Sequence, residues 1–286
     1  MQVIDGKHIA ALKFEEIRQR VLAFDQRSHR VPGLAVILVG HNPASEVYVR
    51  HKIEACERMR IRSFFCPLEA DVSDEVLYQL IHQLNQNDEV DGILLQLPLP
   101  SHLDPHKAVS AILPQKDVDG LHPYNQGLLL QGRPLFAPCT PQGCVQLLQS
   151  CCDSLAGANV VIVGRSILVG RPLAAMLTNL DATVTLAHSH TRNLKQVCQQ
   201  ADILVSAVGK PKFITAEYIK PGAIVLDVGI NRLLLEGGKS KLVGDVDFEN
   251  VADKASFITP VPGGVGPMTI ANLLLNTVKA AELTLQ

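Results

Sequence analysis

The sequence predicts an α/β protein of two domains, each built on a mainly parallel sheet, the second of them doubly wound. Three observations carry that expectation. Unbroken apolar runs of strand length alternate with helical stripes along most of the chain, the order that a parallel sheet with crossover helices requires. The alternation lapses once, between Pro114 and Pro141, where Pro, Gly and polar residues crowd together and no helical stripe outlasts a turn or two. The 286 residues also amount to about two domains at roughly 150 residues each. The expected boundaries are 1–138 and 139–267, followed by a last helix over about 268–286.

Each element follows from period and punctuation. Ala10, Phe14, Ile17, Val21 and Phe24 step by four, three, four and three, the stripe of an amphipathic helix. Leu34 to Val39 is an unbroken apolar run. Asn42 and Pro43 supply an N-cap and a first-turn proline, and Val49, Ile53 and Cys56 form the buried stripe of the helix they open. Phe64 to Leu68 reads as a strand, and Ser73 opens a helix with Leu77, Leu80, Ile81 and Leu84 on one face. Gly92 to Leu97 is a buried strand halted by the rigid Pro98 to Pro100 segment.

Past the junction, a helix begun by Thr140 and Pro141 leads into strand Asn159–Val163, a helix from Gly170, strand Ala182–Ala187 and a helix after Thr191. Strands Ile203–Val208 and Ala223–Val228 follow. A Pro- and Gly-rich loop, Pro260 to Pro267, precedes a helix with Ile270, Leu273, Leu274 and Val278 along one face. Asn231 to Lys241 is a polar excursion without readable period.

Composition narrows the function classes. Lys plus Arg (26) nearly balances Asp plus Glu (28) for a net charge of −2, so the basic footprint of a nucleic-acid or membrane-surface binder is missing. A small molecule or a protein is the expected partner. Gly (20) and Pro (17) lie near globular averages and exclude collagen-like or disordered classes. Seven cysteines, without a C-x-x-C pair and with Cys151 next to Cys152, read as reduced thiols. No His or Cys pair stands at zinc-like spacing, so no metal site is expected. The N-terminus lacks a basic stretch followed by an apolar segment, and the apolar runs are strand-sized. Neither a signal peptide nor a membrane span fits, and the cytoplasm is the expected compartment.

Val160 to Pro172 places Gly164 directly after a buried strand and Gly170 at the head of a helix. That is the context of a dinucleotide-binding turn, with glycines admitting the phosphates and a helix N-terminus offering N–H groups. The spacing is G-x-x-x-x-x-G, not G-x-G-x-x-G, so a tight strand-to-helix turn without ligand is the competing reading. The next strand ends in Leu186 to Thr191 with no acid, whereas an NAD site usually carries Asp or Glu there. Arg165 offers a cationic fork and Ser166 and Ser189 offer hydroxyls. NADP is therefore favoured over NAD, against the plainer possibility that Arg165 merely caps a surface turn.

A second constellation lies in the first half. Tyr48 and Lys52 are four apart on the Asn42 helix and share a face at the edge of its buried stripe. Partial desolvation there would lower the lysine from about 10.4 and create a general base; a snorkelling lysine beside a tyrosine would look the same. Gln96 interrupts an apolar strand near its carboxyl end, either as a site residue or as a sheet-edge cap. Asp117 and Asp119 sit in a loop, as site carboxylates or as solvated turn residues. Gly263, Gly264 and Gly266 would let a flat ligand approach the backbone, as would the hinge between two domains.

Six ordered blocks bring these features together: Tyr48–Lys52 (YVRHK), Asp91–Pro100 (DGILLQLPLP), Pro114–Gly120 (PQKDVDG), Pro138–Gly143 (PCTPQG), Val163–Pro172 (VGRSILVGRP) and Pro260–Thr269 (PVPGGVGPMT). Through them the sequence resembles the bifunctional methylenetetrahydrofolate dehydrogenase/methenyltetrahydrofolate cyclohydrolase family along nearly its whole length. The unusual glycine spacing is that family's own.

The resemblance implies NADP-dependent oxidation of 5,10-methylenetetrahydrofolate to 5,10-methenyltetrahydrofolate, then hydrolysis to 10-formyltetrahydrofolate. It implies an N-terminal folate-binding catalytic domain completed by the C-terminal helix, a Rossmann-type NADP-binding domain facing it across a cleft, and a homodimer. Carried onto matching positions, it makes Lys52 the principal catalytic group, with Tyr48 and Gln96 placing substrate and tuning the lysine, and Asp119 binding the pterin. Leu97, Pro262 and Gly263 would border the folate. Gly164, Arg165, Ser166, Ser189 and Ile230 would line the NADP site. A different NADP-dependent dehydrogenase, acting for example on a hydroxy acid, and a non-catalytic NADP-binding protein are the rival readings.

Overall fold

The computed structural model describes residues 1–234 and 240–285. The chain begins with β1 (Gln2–Val3), α1 (Gly6–Ser28), β2 (Gly33–Val39), α2 (Pro43–Arg58), β3 (Arg62–Leu68) and α3 (Asp74–Gln86). It continues with β4 (Gly92–Leu95), α4 (Pro105–Ser110), α5 (Pro123–Leu130), α6 (Cys139–Gln149), β5 (Asn159–Val163), α7 (Gly170–Thr178) and β6 (Thr183–Ala187). Then come α8 (Leu194–Cys198), β7 (Ile203–Ser206), β8 (Ile224–Asp227), β9 (Asn231–Leu234) and β10 (Ser240–Val243). It ends with α9 (Phe248–Val251), β11 (Phe257–Ile258) and α10 (Val265–Leu283).

Two compact units result. One holds residues 12–137 together with Ile270 onward, and the other holds Met1–Ala11 with Pro138–Thr269. The first eleven residues therefore do not go with the N-terminal half, as the expected 1–138 boundary has them. The cause is a pairing: β1 is a parallel edge strand on β11, with Gln2 opposite Phe257 and Val3 opposite Ile258. Two-residue strands joined across such a sequence separation leave no periodic trace.

The first unit carries a three-stranded parallel sheet in the order β3-β2-β4. All seven residues of β2 are buried, so both faces are covered, as parallel sheets require. Ala35, Ile37 and Val39 face Leu77, Ile81 and Leu84 of α3 and Ala108 and Val109 of α4, and their alternates Leu34, Val36 and Leu38 bury the opposite face. The caps form as read: the Asn42 carboxamide oxygen accepts from the amides of Ala44 (3.0 Å) and Ser45 (3.1 Å), and Ser73 caps α3. At the other edge of the sheet, buried Asp91 accepts two bonds of 2.7 Å from Arg30 and one of 2.8 Å from the Gly33 amide, tying the starts of β2 and β4 to the end of α1.

The C-terminal helix belongs to this unit from Ile270 on and does more than cover it. Buried Asn276 donates to the carbonyls of Val118 (2.8 Å) and Ala137 (3.1 Å). Asn276→Ala is expected to cost about 2 kcal/mol, because water does not readily replace a donor lost to buried carbonyls. Thermal unfolding should shift down by roughly 5 °C; an unchanged melt would show the carbonyls satisfied elsewhere.

The second unit carries a parallel six-stranded sheet ordered β1-β11-β8-β7-β5-β6. The chain leaves β5 to one side for β6 and returns to the other for β7, which puts the topological switch point of a doubly wound sheet at the carboxyl end of β5. Val161, Val163, Leu204, Val225 and Ile258 form part of its core with Ile214 and Val251. The strands expected to run to Leu97, Val208 and Val228 stop earlier, at Leu95, Ser206 and Asp227. After β4, Pro98 has no N–H to extend the ladder. The excursion from Asn231 opens with β9, which pairs antiparallel with β10; its residues 235–239 lie outside the described ones. The last helix starts at Val265, before Pro267, since a first-turn proline gives up no hydrogen bond.

Candidate active site

In the three-stranded unit the observation that matters is the meeting of α2 with the end of β4. Lys52 is not at the rim of its helix. It lies on the buried stripe with Ser45, Val49, Ala55 and Cys56, only 9% exposed, while Ile53 is half-buried. The reason is spacing: Val49, Lys52 and Cys56 step by three and four, the same rhythm that buries apolar side chains. Lys52 Nζ donates to Gln96 Oε1 at 2.9 Å, and Gln96 Nε2 donates to the Leu97 carbonyl at 2.8 Å. That second bond fixes the carboxamide with its oxygen toward the lysine. The Gln96 amide extends the sheet by one bond to Ile37 O, 2.9 Å, and the Leu97–Pro98 peptide is cis. Gln96 is half-buried, not enclosed.

Tyr48 lies one turn before Lys52 and is half-buried. Burial raises its phenol above the ordinary value, so it stays a protonated hydrogen-bond donor at neutral pH. One turn the other way, burial pushes the Cys56 thiol up to about 12, which leaves it unreactive.

The loop between α4 and α5 lies along β4. Ile93 N donates to Lys116 O at 2.8 Å, Ile93 bridges to Asp117, and a Cβ on Gly92 would stand 2.6 Å from Val118 Cγ1. The two loop acids then differ. Asp117 is no solvated turn residue: it is 2% exposed and accepts from the amides of Leu121 (3.1 Å) and His122 (2.8 Å) and from Asn125 Nδ2 (2.7 Å). Burial pushes it up to about 7 against those donors, so its ionisation costs stability as pH rises through that value. Asp119, half-buried, sits two residues beyond the bridge.

In the six-stranded unit the turn after β5 admits no side chain where its glycines stand. Gly164 has φ +126°, and a Cβ there would lie 2.2 Å from the Ala207 carbonyl oxygen; one on Gly170 would lie 1.9 Å from Gly164 O. The Ser166 hydroxyl accepts from Val169 N at 3.1 Å and keeps its proton for another acceptor. Arg165 is exposed, with its carbonyl held by Arg171 Nε at 3.1 Å. Ser189 and Ile230 are exposed too. Beyond β6, burial and the positive charges of Arg165 and His190 hold the His188 imidazole below its usual range. Pro262 follows a cis peptide and Gly263 has φ +111°; both belong to this unit, as Gly164 does.

Two carboxylates here escape sequence reading. Asp227 ends β8 and Asp245 follows β10, both nearly unexposed. Asp227 accepts from the amides of Gly229 (3.0 Å), Asp245 (2.9 Å) and Val246 (2.8 Å). Its one local signal is an acid closing the apolar run Ile224–Asp227. Among the described residues, no cluster of three or more His, Cys, Asp or Glu could hold a metal ion, and no helix is long and apolar enough to cross a membrane.

Comparison with known proteins matches residues 4–119 to the family described as tetrahydrofolate dehydrogenase/cyclohydrolase, catalytic domain, and residues 138–285 to the NAD(P)-binding domain of the same name. The bifunctional protein FolD of Campylobacter hominis is 52% identical over 282 residues, covering 99% of this chain and 98% of that protein. The crystal structure of the bifunctional enzyme FolD of Campylobacter jejuni superimposes with a TM-score of 0.94 at 46% identity, covering 99% of both chains. That of Trypanosoma brucei FolD, complexed with NADP cofactor and inhibitor, gives 0.96 at 38% identity over 99% and 98%.

Proposed function

The chain belongs to the tetrahydrofolate dehydrogenase/cyclohydrolase family, and we propose that its chemistry turns on Lys52 as held by Gln96. The protein is a bifunctional one-carbon folate enzyme. It oxidises 5,10-methylenetetrahydrofolate to the methenyl form with NADP and hydrolyses that to 10-formyltetrahydrofolate. The observation that supports the residue assignment is the 2.9 Å bond from the Nζ of a lysine only 9% exposed to a carboxamide that is itself oriented.

The residues around Gly164 suit a dinucleotide: glycine at 164 and 170 lets the turn pack directly on the Ala207 and Gly164 carbonyls, which brings the N-terminus of the helix beginning at Gly170 up to the end of β5. NADP supplies the acceptor for the hydride that leaves the one-carbon bridge. Arg165, Ser166 and Ser189 bind its phosphates, Arg165 taking the 2′-phosphate, and Ile230 offers an apolar surface. Arg165→Ala should therefore raise KM for NADP far more than for NAD, by about 1.5–3 kcal/mol for a charge-assisted contact. An unchanged preference would place the 2′-phosphate elsewhere.

In the second reaction water adds to the methenyl carbon of the substrate. An O–C bond forms and a C–N bond breaks; of the water's two protons one passes to the departing nitrogen and the other is released, as the cationic methenyl group becomes a neutral formyl group. Lys52, acting as the neutral amine, accepts the first of these protons and returns it to that nitrogen. Gln96 keeps the amine pointed at the reacting carbon, Tyr48 donates to the substrate, and Asp119 accepts from the pterin N–H groups. Leu97 adds apolar contact. The enzyme works as a cytoplasmic homodimer, a state that sedimentation would test. The primary experiment is an absorbance assay following methenyl formation with NADP and its decay; formation without decay would exclude the hydrolytic role of Lys52.

A further inference from the structure

The buried Asp245 carboxylate joins three segments at the carboxyl edge of the six-stranded sheet. Its Oδ2 accepts from the amides of Val208 (2.7 Å) and Gly209 (3.1 Å) and more weakly from the Ser206 hydroxyl (3.4 Å). Its Oδ1 accepts from the Lys210 amide and from Asn231 Nδ2, both at 2.9 Å. All five partners are donors. Only a carboxylate presents acceptors on both oxygens; an amide would turn an NH₂ toward at least two N–H groups. The approach is made possible by a missing side chain, since a Cβ on Gly229 would stand 2.1 Å from Asp245 Oδ1. Asp245 is in turn seated from behind, its amide donating to Asp227 Oδ1 at 2.9 Å.

What this carboxylate holds is the wall of the dinucleotide turn. The loop from Ala207 to Lys210 leaves β7 at the switch point, and the Ala207 carbonyl is the atom against which Gly164 packs. Asn231, gripped on the other oxygen, directly follows Ile230.

We infer that Asp245 is a positioning residue for NADP: it fixes the Ala207–Lys210 loop and the Ile230–Asn231 corner so that the turn at Gly164 keeps its shape. It touches no reacting atom, and the inference rests on the reading of Gly164 and Arg165 as the dinucleotide site.

Asp245→Asn in the full-length enzyme is the test. KM for NADP should rise by about tenfold or more while kcat at saturating NADP changes less than about threefold, because a disordered wall weakens binding before it alters chemistry. Amide exchange over 207–210 should accelerate in the same protein. A folded variant with wild-type KM and exchange would overturn the proposal, as would a loss confined to kcat. Should Asp245→Asn fail to fold, Asn231→Ala removes one donor and leaves the carboxylate; KM for NADP is then expected to rise about threefold, and an unchanged KM would count against the proposal. Arg165→Ala is measured alongside. If it too leaves NADP binding intact, the dinucleotide site itself is misassigned; if it alone weakens binding, only the positioning role fails.

Discussion

Lys52→Met should lose cyclohydrolase activity by at least about a thousandfold, roughly 4 kcal/mol of transition-state stabilisation, and still bind folate. Methionine is unbranched and of similar length, so it fills the slot beside Val49 and Cys56 and leaves the α2 stripe intact. What it cannot do is donate to Gln96 or carry a proton. The two activities should separate, because hydride transfer depends mainly on orientation whereas hydrolysis needs a group to move a proton. Parallel assays of methenyl formation and methenyl decay, with a folate-binding titration, provide the check. Equal retention of both activities would refute the assignment of Lys52.

The second large effect is expected at Gly164. Alanine there is opposed twice: φ +126° is a conformation L side chains rarely adopt, and the new Cβ would lie 2.2 Å from a backbone oxygen that cannot swing away. The turn must move or the unit must loosen, at a cost on the order of 3–5 kcal/mol. Thermal melting should fall sharply and NADP affinity should collapse. Gly127→Ala is the matched control. Gly127 lies inside α5, and a Cβ added there would meet nothing within 4 Å, so alanine should stabilise by about 0.5–1 kcal/mol through helix propensity alone. A Gly164→Ala protein with a wild-type melt and wild-type NADP affinity would show that the turn tolerates a side chain.

Local chemistry was legible wherever a few neighbouring residues decide the outcome. Asn42 before Pro43 and Ser73 before Asp74 mark helix starts because an N-cap needs only a side-chain oxygen and the next few amides. Strand Asn159–Val163 and the helix from Gly170 stand as expected, since an apolar run followed by a glycine-bounded turn leaves little alternative. The family, too, was legible, because six motif blocks in one order are far more specific than any one of them.

Other features depended on partners far along the chain. Lys52 and Gln96 were separate candidates, each with a bland explanation, until the end of β4 met α2. Asp117 and Asp119 looked alike in a polar loop, and only the docking of that loop on β4 buries the first. The eleven N-terminal residues joined the distant unit through a two-residue strand.

By itself, then, the sequence determined the type of each longer strand and helix, the doubly wound second half, the family and the candidate residues, because periodicity, capping, glycine punctuation and motif blocks each act over a handful of positions. Only the tertiary structure decided which carboxylates are buried, that the lysine lies within the apolar stripe, and that Asp245 gathers five donors. Burial and hydrogen-bond partnership are properties of atoms brought together across long separations, and no local window of sequence contains both partners.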